Sequence, residues 1–196
     1  MKRIFVLLLV LIPTALVAAP LKVVNVSAPA INCVFSTTCK ITVTDKTSAI
    51  WGGGFLQSRH YRALPGSPMA GRYVYEYRVD LRNSVGALAL GAITSLTVDF
   101  GPDLMFDYNK DGSKDDVFVV TGGGLGNKGL SSAVRAGTLI TFNFAGGGIA
   151  QGSAPGKGDS SYFFGIVSAK PRKTINVSAA NTLGPPLSLS AWVPVH

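Results

Sequence analysis

The chain has 196 residues, 47% of them hydrophobic and 14% charged, with a formal net charge of +8. Beyond residue 20 no apolar stretch is long enough to span a bilayer, no run of five like charges occurs, and two cysteines with no histidine nearby cannot complete a zinc set. Those features argue against a membrane span in the mature chain, a nucleic-acid partner and a zinc module.

The N-terminus reads MKRIFVLLLVLIPTALVAAP: Lys2 and Arg3, an apolar run over residues 4–12, Pro13, and small residues at Ala18 and Ala19. This is the pattern of a secretory signal peptide, expected over residues 1–19, with a cut after Ala18 as the alternative. A retained anchor is the poorer reading, since a helical span needs about 20 apolar residues. The remaining residues, 20–196, suffice for one domain. The product is expected to be secreted, or associated with the cell envelope. In such an oxidising compartment Cys33 and Cys39 form one disulfide, worth on the order of 2 kcal/mol.

Downstream, runs rich in β-branched and aromatic residues recur between Gly, Pro, Ser and Asp clusters: LKVVNVS, KITVTD, GFLQSRHYRAL, RYVYEYRVDLR, AITSLTVDF, DVFVVT, TLITFNF, SYFFGIVSA, KTINVSA and PLSLSAWVP. No window sustains a helical period over ten residues. The expected fold is all-β, a single antiparallel β-sandwich or jelly roll. In the clearest strand, residues 72–82, Tyr73, Tyr75 and Tyr77 share one face with Val79 and Leu81, while Arg72, Glu76, Arg78, Asp80 and Arg82 share the other with Val74. The tyrosine row is core, or else a platform for stacking a sugar.

Residues 107–120, DYNKDGSKDDVFVV, hold the densest group of oxygen ligands. Counted from Asp107, the side chains of Asp107, Asn109 and Asp111 take positions 1, 3 and 5, and Gly112 takes the sharp turn at 6. Ser113 and Asp115 take positions 7 and 9. Calcium is a hard cation that gathers six or more oxygens, and alternating residues of a tight loop can aim theirs inward. Lys110 and Lys114 fall where side chains point outward. Position 12 is Phe118, so the glutamate of an EF-hand is missing and a strand follows instead of a helix. This D-x-N-x-D-G-x-x-D loop resembles the calcium loops of FG-GAP and VCBS repeats and, more distantly, of dockerins. The resemblance implies a calcium cofactor held by Asp107, Asn109, Asp111, Ser113 and Asp115. A metal-free acidic turn is the competing reading, because Asp, Asn and Gly also favour ordinary turns.

Other chemistry is weak. GLGNKG, residues 124–129, fits G-x-G-x-x-G, yet no helix-length segment and no suitably placed acid follow it. A serine triad would rest on His60, whose neighbours in QSRHYR suggest a solvated strand face, and a carboxylate pair would need Asp80 or Asp159. The segments YVYEYRVDL, TSLTVDFGP and YFFGIVSAKP resemble exported bacterial surface sandwiches of the PEP-CTERM kind, although the chain ends LSLSAWVPVH without their sorting tail. The resulting expectation is a calcium-stabilised extracellular binding or surface-structural module. Six of the ten acids lie in residues 99–116, so the rest of the surface is basic and suits an anionic polysaccharide, matrix or envelope partner. The alternative is a secreted hydrolase acting on a polymer.

Overall fold

The computed structural model describes residues 18–86 and 89–196. The expected signal peptide lies outside them except for Ala18 and Ala19. Ala19 opens the first strand, opposite Arg135, so a cut after Ala18 would keep that pair.

Period-two alternation produces two sheets packed face to face. The first runs in the order β1 (Ala19–Leu21), β8 (Leu130–Ala136), β9 (Leu139–Phe144), β6 (Ala92–Asp99), β12 (Arg172–Asn181) and β13 (Leu187–Pro194), with β10 (Ile149–Ala150) also paired to β6. The second runs β2 (Val23–Ser27), β7 (Val117–Gly122), β11 (Phe164–Ser168), β5 (Tyr73–Asp80), β4 (Phe55–Arg62) and β3 (Thr44–Ala49). The fold is an all-β sandwich.

Beyond the strands β8 and β10, which none of the expected segments covers, three details differ from expectation. First, β2 lies parallel to β7, with Val23 opposite Val117, so the second sheet is mixed. Side-chain alternation places a strand's faces but carries no information about a neighbour's direction. Second, the third strand is TDKTSA rather than KITVTD. As the sheet edge it tolerates polar residues on both faces, while Ile41 and Val43, ahead of or outside it, pack under a helix. Third, that helix is α1 (Ala28–Phe35), with proline in its first turn. Eight residues are too few to be stable alone. Packing of Ile31, Val34 and Phe35 holds it, and the Cys33–Cys39 disulfide ties its last turn to the chain that follows.

Two cores result. The main one fills the space between the sheets, where Leu56, Tyr75, Tyr77, Val79, Phe164 and Ile166 meet Leu96, Val98, Ile140, Phe142, Val177 and Leu189. A second lies on the outer face of the second sheet, where α1 covers Val74, Phe118, Val120 and Val167. Central strands are therefore buried on both sides, which is why β7 reads VFVV and β11 reads FGIVS instead of alternating. Gly165 makes one such packing possible: a Cβ there would stand 2.3 Å from the Phe118 ring.

The charged face of β5 is consequently not solvated as its alternation suggested. Glu76, Arg78 and Asp80 are each 4% exposed. Arg78 and Asp80 pair at 2.9 Å, and Arg78 also donates to Gln57 Oε1 and Ser160 Oγ. Their burial follows from the covering segments, not from the strand itself.

Candidate functional site

The acidic loop is closed at its base by reciprocal backbone bonds between Phe106 and Asp115, 3.0 and 2.9 Å long. Inside it the acidic side chains organise the backbone. Asp107 accepts from the N–H groups of Asp111 (3.0 Å) and Gly112 (2.9 Å), Asn109 Oδ1 from that of Asp111 (3.1 Å), and Asp111 Oδ1 from that of Ser113 (2.8 Å). Gly112 has a φ of 91°, which glycine adopts without strain, and Lys110 takes a positive φ of 61° to complete the bend. Lys110 and Lys114 are exposed, and Asp107, Asn109, Asp111 and Ser113 lie at or near the surface. Asp115 does not: its side chain is fully buried, with Oδ2 accepting from the Tyr108 N–H.

A residue distant in sequence completes the loop. Lys22, between β1 and β2, places its ammonium 2.8 Å from Asp115 Oδ1, 4.0 Å from Asp111 Oδ2 and 2.7 Å from Ser113 Oγ. Its backbone N–H donates to Asp116 at 2.7 Å, and its carbonyl accepts from the N–H groups of Asp116 and Val117. The contact with Asp115 is a close ion pair, and no other donor reaches the buried Oδ1 among the described residues. Contact with Asp115, aided by the charges of Asp111 and Asp107, raises the Lys22 pKa above its ordinary value. The Ser113 hydroxyl and Asn109 amide, with the Ser113 N–H, hold Asp111 down to about 2.

The residues named for calcium thus share one loop, and three of them, Asp111, Ser113 and Asp115, face a cation, the Lys22 ammonium. Among the described residues no three His, Cys, Asp or Glu side chains are grouped to hold a metal ion. The loop's own N–H groups occupy both oxygens of Asp107 and one of Asp111. The donor set is nonetheless all oxygen, and the buried Oδ1 of Asp115 is the atom that a hard cation would satisfy. Nothing in the sequence near residue 107 points to Lys22.

The tyrosine row is not a stacking platform. Tyr75 and Tyr77 are fully buried between the sheets, and their hydroxyls donate to the Lys170 and Trp192 carbonyls at 2.8 Å. Tyr73 is partly buried against the same core. GLGNKG leads into strand β8, not a helix. Asp80 is bound by Arg78 and Arg82, and Asp159 by the Asn127 amide (3.0 Å), the Ala150 N–H (3.2 Å) and Lys128 (3.8 Å).

His60 also faces inward, correcting the solvated position that its neighbours suggested. The Arg172 guanidinium, a donor only, reaches its Nδ1 at 3.0 Å, which places the ring proton on Nε2, buried without a partner. Tyr73, Tyr75 and Trp192 enclose the ring. Burial, then the Arg172 charge, lowers its pKa from 6.5 to about 4. A depressed histidine means that the unfolded chain binds the proton more readily, so its contribution is present above pH 6.5 and disappears as pH falls toward 4. Between pH 7 and 4.5 the protein is expected to lose on the order of 2 kcal/mol through this group. Urea unfolding of the wild type and His60→Leu at both pH values measures it: the variant should lose less on acidification.

No protein-family model matches the chain, and no curated protein and no solved structure matches it significantly. Its class is therefore defined by the architecture itself: a two-sheet β-sandwich with a disulfide-tied helix on one outer face and a cation-closed acidic loop beside the first strands.

Proposed function

We propose that the chain is an extracellular binding or surface-structural module whose acidic loop is ordered by a cation. Calcium takes that place when available, and the Lys22 ammonium contacts Asp111, Ser113 and Asp115 otherwise. The supporting observation is the all-oxygen donor set around the buried Asp115 carboxylate, whose Oδ1 already stands 2.8 Å from a positive charge. Asp107, Asn109, Asp111, Ser113 and Asp115 would hold the metal. Its contribution is to neutralise a cluster that otherwise repels itself and to fix the loop against the β1–β2 junction. Secretion, inferred from the N-terminal pattern, would supply the calcium. The basic remainder of the surface would meet an anionic polysaccharide, matrix or envelope partner.

Thermal unfolding of the oxidised protein in EDTA and across a calcium titration tests this reading. Mass action gives about 2.7 kcal/mol of stabilisation at one hundred times the Kd. The Asp107→Ala/Asp111→Ala variant should lack the rise. Lys22→Met should unfold earlier in EDTA yet respond at lower calcium, because its competing ammonium is gone. A wild-type midpoint that calcium does not move, with Lys22→Met merely destabilised, would make Lys22 the permanent counter-ion and end the calcium reading.

A further inference from the structure

A cavity of about 300 Å³ lies on the outer face of the second sheet, beneath α1 and bordered by the glycine-rich turn after β7. That volume is at the lower end of small-molecule sites, about 300–1,000 Å³. Ile31, Ile41, Val120 and Phe163 give it apolar walls, and the polar groups Arg59 and Glu76 face it from adjacent strands. Glu76 is the chain's single glutamate.

Strand pairing explains how the two charges arrive together. Asp45, Arg59 and Glu76 are cross-strand partners on β3, β4 and β5, and the next partner, Gly165, leaves room for the Phe118 ring. Arg59 is already engaged: Nε donates to Asp45 at 3.0 Å, and its guanidinium lies 3.8 Å over the Phe163 ring. Glu76 is less complete. Oε1 accepts the Tyr61 hydroxyl at 2.8 Å, and no donor reaches Oε2 among the described residues. Burial raises its pKa, a shift that the Tyr61 bond and the Arg59 charge reduce and Asp45 reinforces. A largely buried carboxyl with one oxygen held by Tyr61 and no protein donor on the other, lining a mostly apolar cavity, is an arrangement that a ligand's cationic head would suit. An anionic head would meet the Glu76 carboxylate, and the Arg59 charge that could attract it is shared with Asp45.

We propose that this cavity binds a small amphipathic amine, its apolar body against Ile31, Ile41, Val120 and Phe163 and its ammonium on the Glu76 carboxylate. The site is independent of the acidic loop, so its test is run in EDTA. The probes are benzylamine, benzyl alcohol and benzoate, one ring with three heads, titrated at neutral pH while the amide resonances of Val120, Gly123 and Gly124 are followed by NMR. Benzylamine should give saturable shifts at these amides, bind about tenfold or more tighter than benzyl alcohol, and exceed benzoate by more. Glu76→Gln should remove the preference of amine over alcohol, with resonances away from the cavity unchanged. Ile41→Trp, which fills the cavity from a half-buried wall without touching Glu76, should abolish benzylamine binding and serves as the test if Glu76→Gln does not fold. Equal binding of the three probes, no saturable shift from benzylamine, or unaltered benzylamine affinity in either folded variant would overturn the proposal.

Discussion

Asp80→Ala is expected to cost about 3–5 kcal/mol, the cost of leaving a buried charge unpaired. The side chains of Asp80 and Arg78 are each 5% exposed and 2.9 Å apart, and Arg82 closes on Asp80 from the surface with three further nitrogen contacts of 2.5 to 3.1 Å. Burial pushes the Asp80 pKa up, but the bonds from Arg82 and the charge of Arg78 outweigh it, so the carboxyl titrates below its ordinary value and is ionised at neutral pH. Removing it strands the Arg78 guanidinium. Urea unfolding of the single variant measures the loss. The Arg78→Met/Asp80→Leu double variant should recover most of it, because well-packed apolar groups replace a buried pair at little cost. A loss below about 1 kcal/mol would mean that the pair behaves as a surface contact. Because Asp80→Ala removes stability as well as a carboxylate, loss of activity in that variant does not by itself test a hydrolase.

Phe164→Ala is expected to cost a similar amount, about 3–5 kcal/mol, through a cavity between the sheets. Phe164 is fully buried on β11 and meets Phe142 at 4.8 Å, Phe144 at 5.7 Å and Tyr77 at 6.0 Å between ring centroids. Phe142 and Phe144 belong to the opposite sheet, so the ring joins the two layers. Phe164→Leu keeps most of the volume and should cost less than about 2 kcal/mol. Equilibrium urea unfolding separates the two, with the slope unchanged if only stability moves. Comparable losses for both would show that the aromatic contacts, not the filled volume, hold the sheets together.

Most strands were legible because their signal is local. Alternation in YVYEYRVDL or AITSLTVDF is imposed by the pleat, and a strand packed on a core must show it. The edge strand β3 was misplaced because an edge needs no apolar face, and α1 was missed because eight residues are shorter than two and a half helical turns. Its stability comes from Phe35 and Ile31 packing on a sheet assembled from strands far along the chain.

The candidate site divides in the same way. The loop from Asp107 to Asp115 could be read by spacing alone, since each of its oxygens is within a few residues of the next. Lys22 could not, because it reaches the loop only through the pairing of β2 with β7. Nor could the cavity, whose floor is one glutamate on a strand that looked half-solvated.

By itself, then, the order of residues determined the all-β pattern, the Cys33–Cys39 bridge and the acidic loop, all set by steric and bonding rules acting over a few residues. Tertiary structure alone decided that the tyrosines face inward, that Glu76, Arg78 and Asp80 are covered, and that Lys22 supplies the loop's cation. Those outcomes depend on which surfaces meet, and a strand with one apolar and one charged face does not specify what will lie against either.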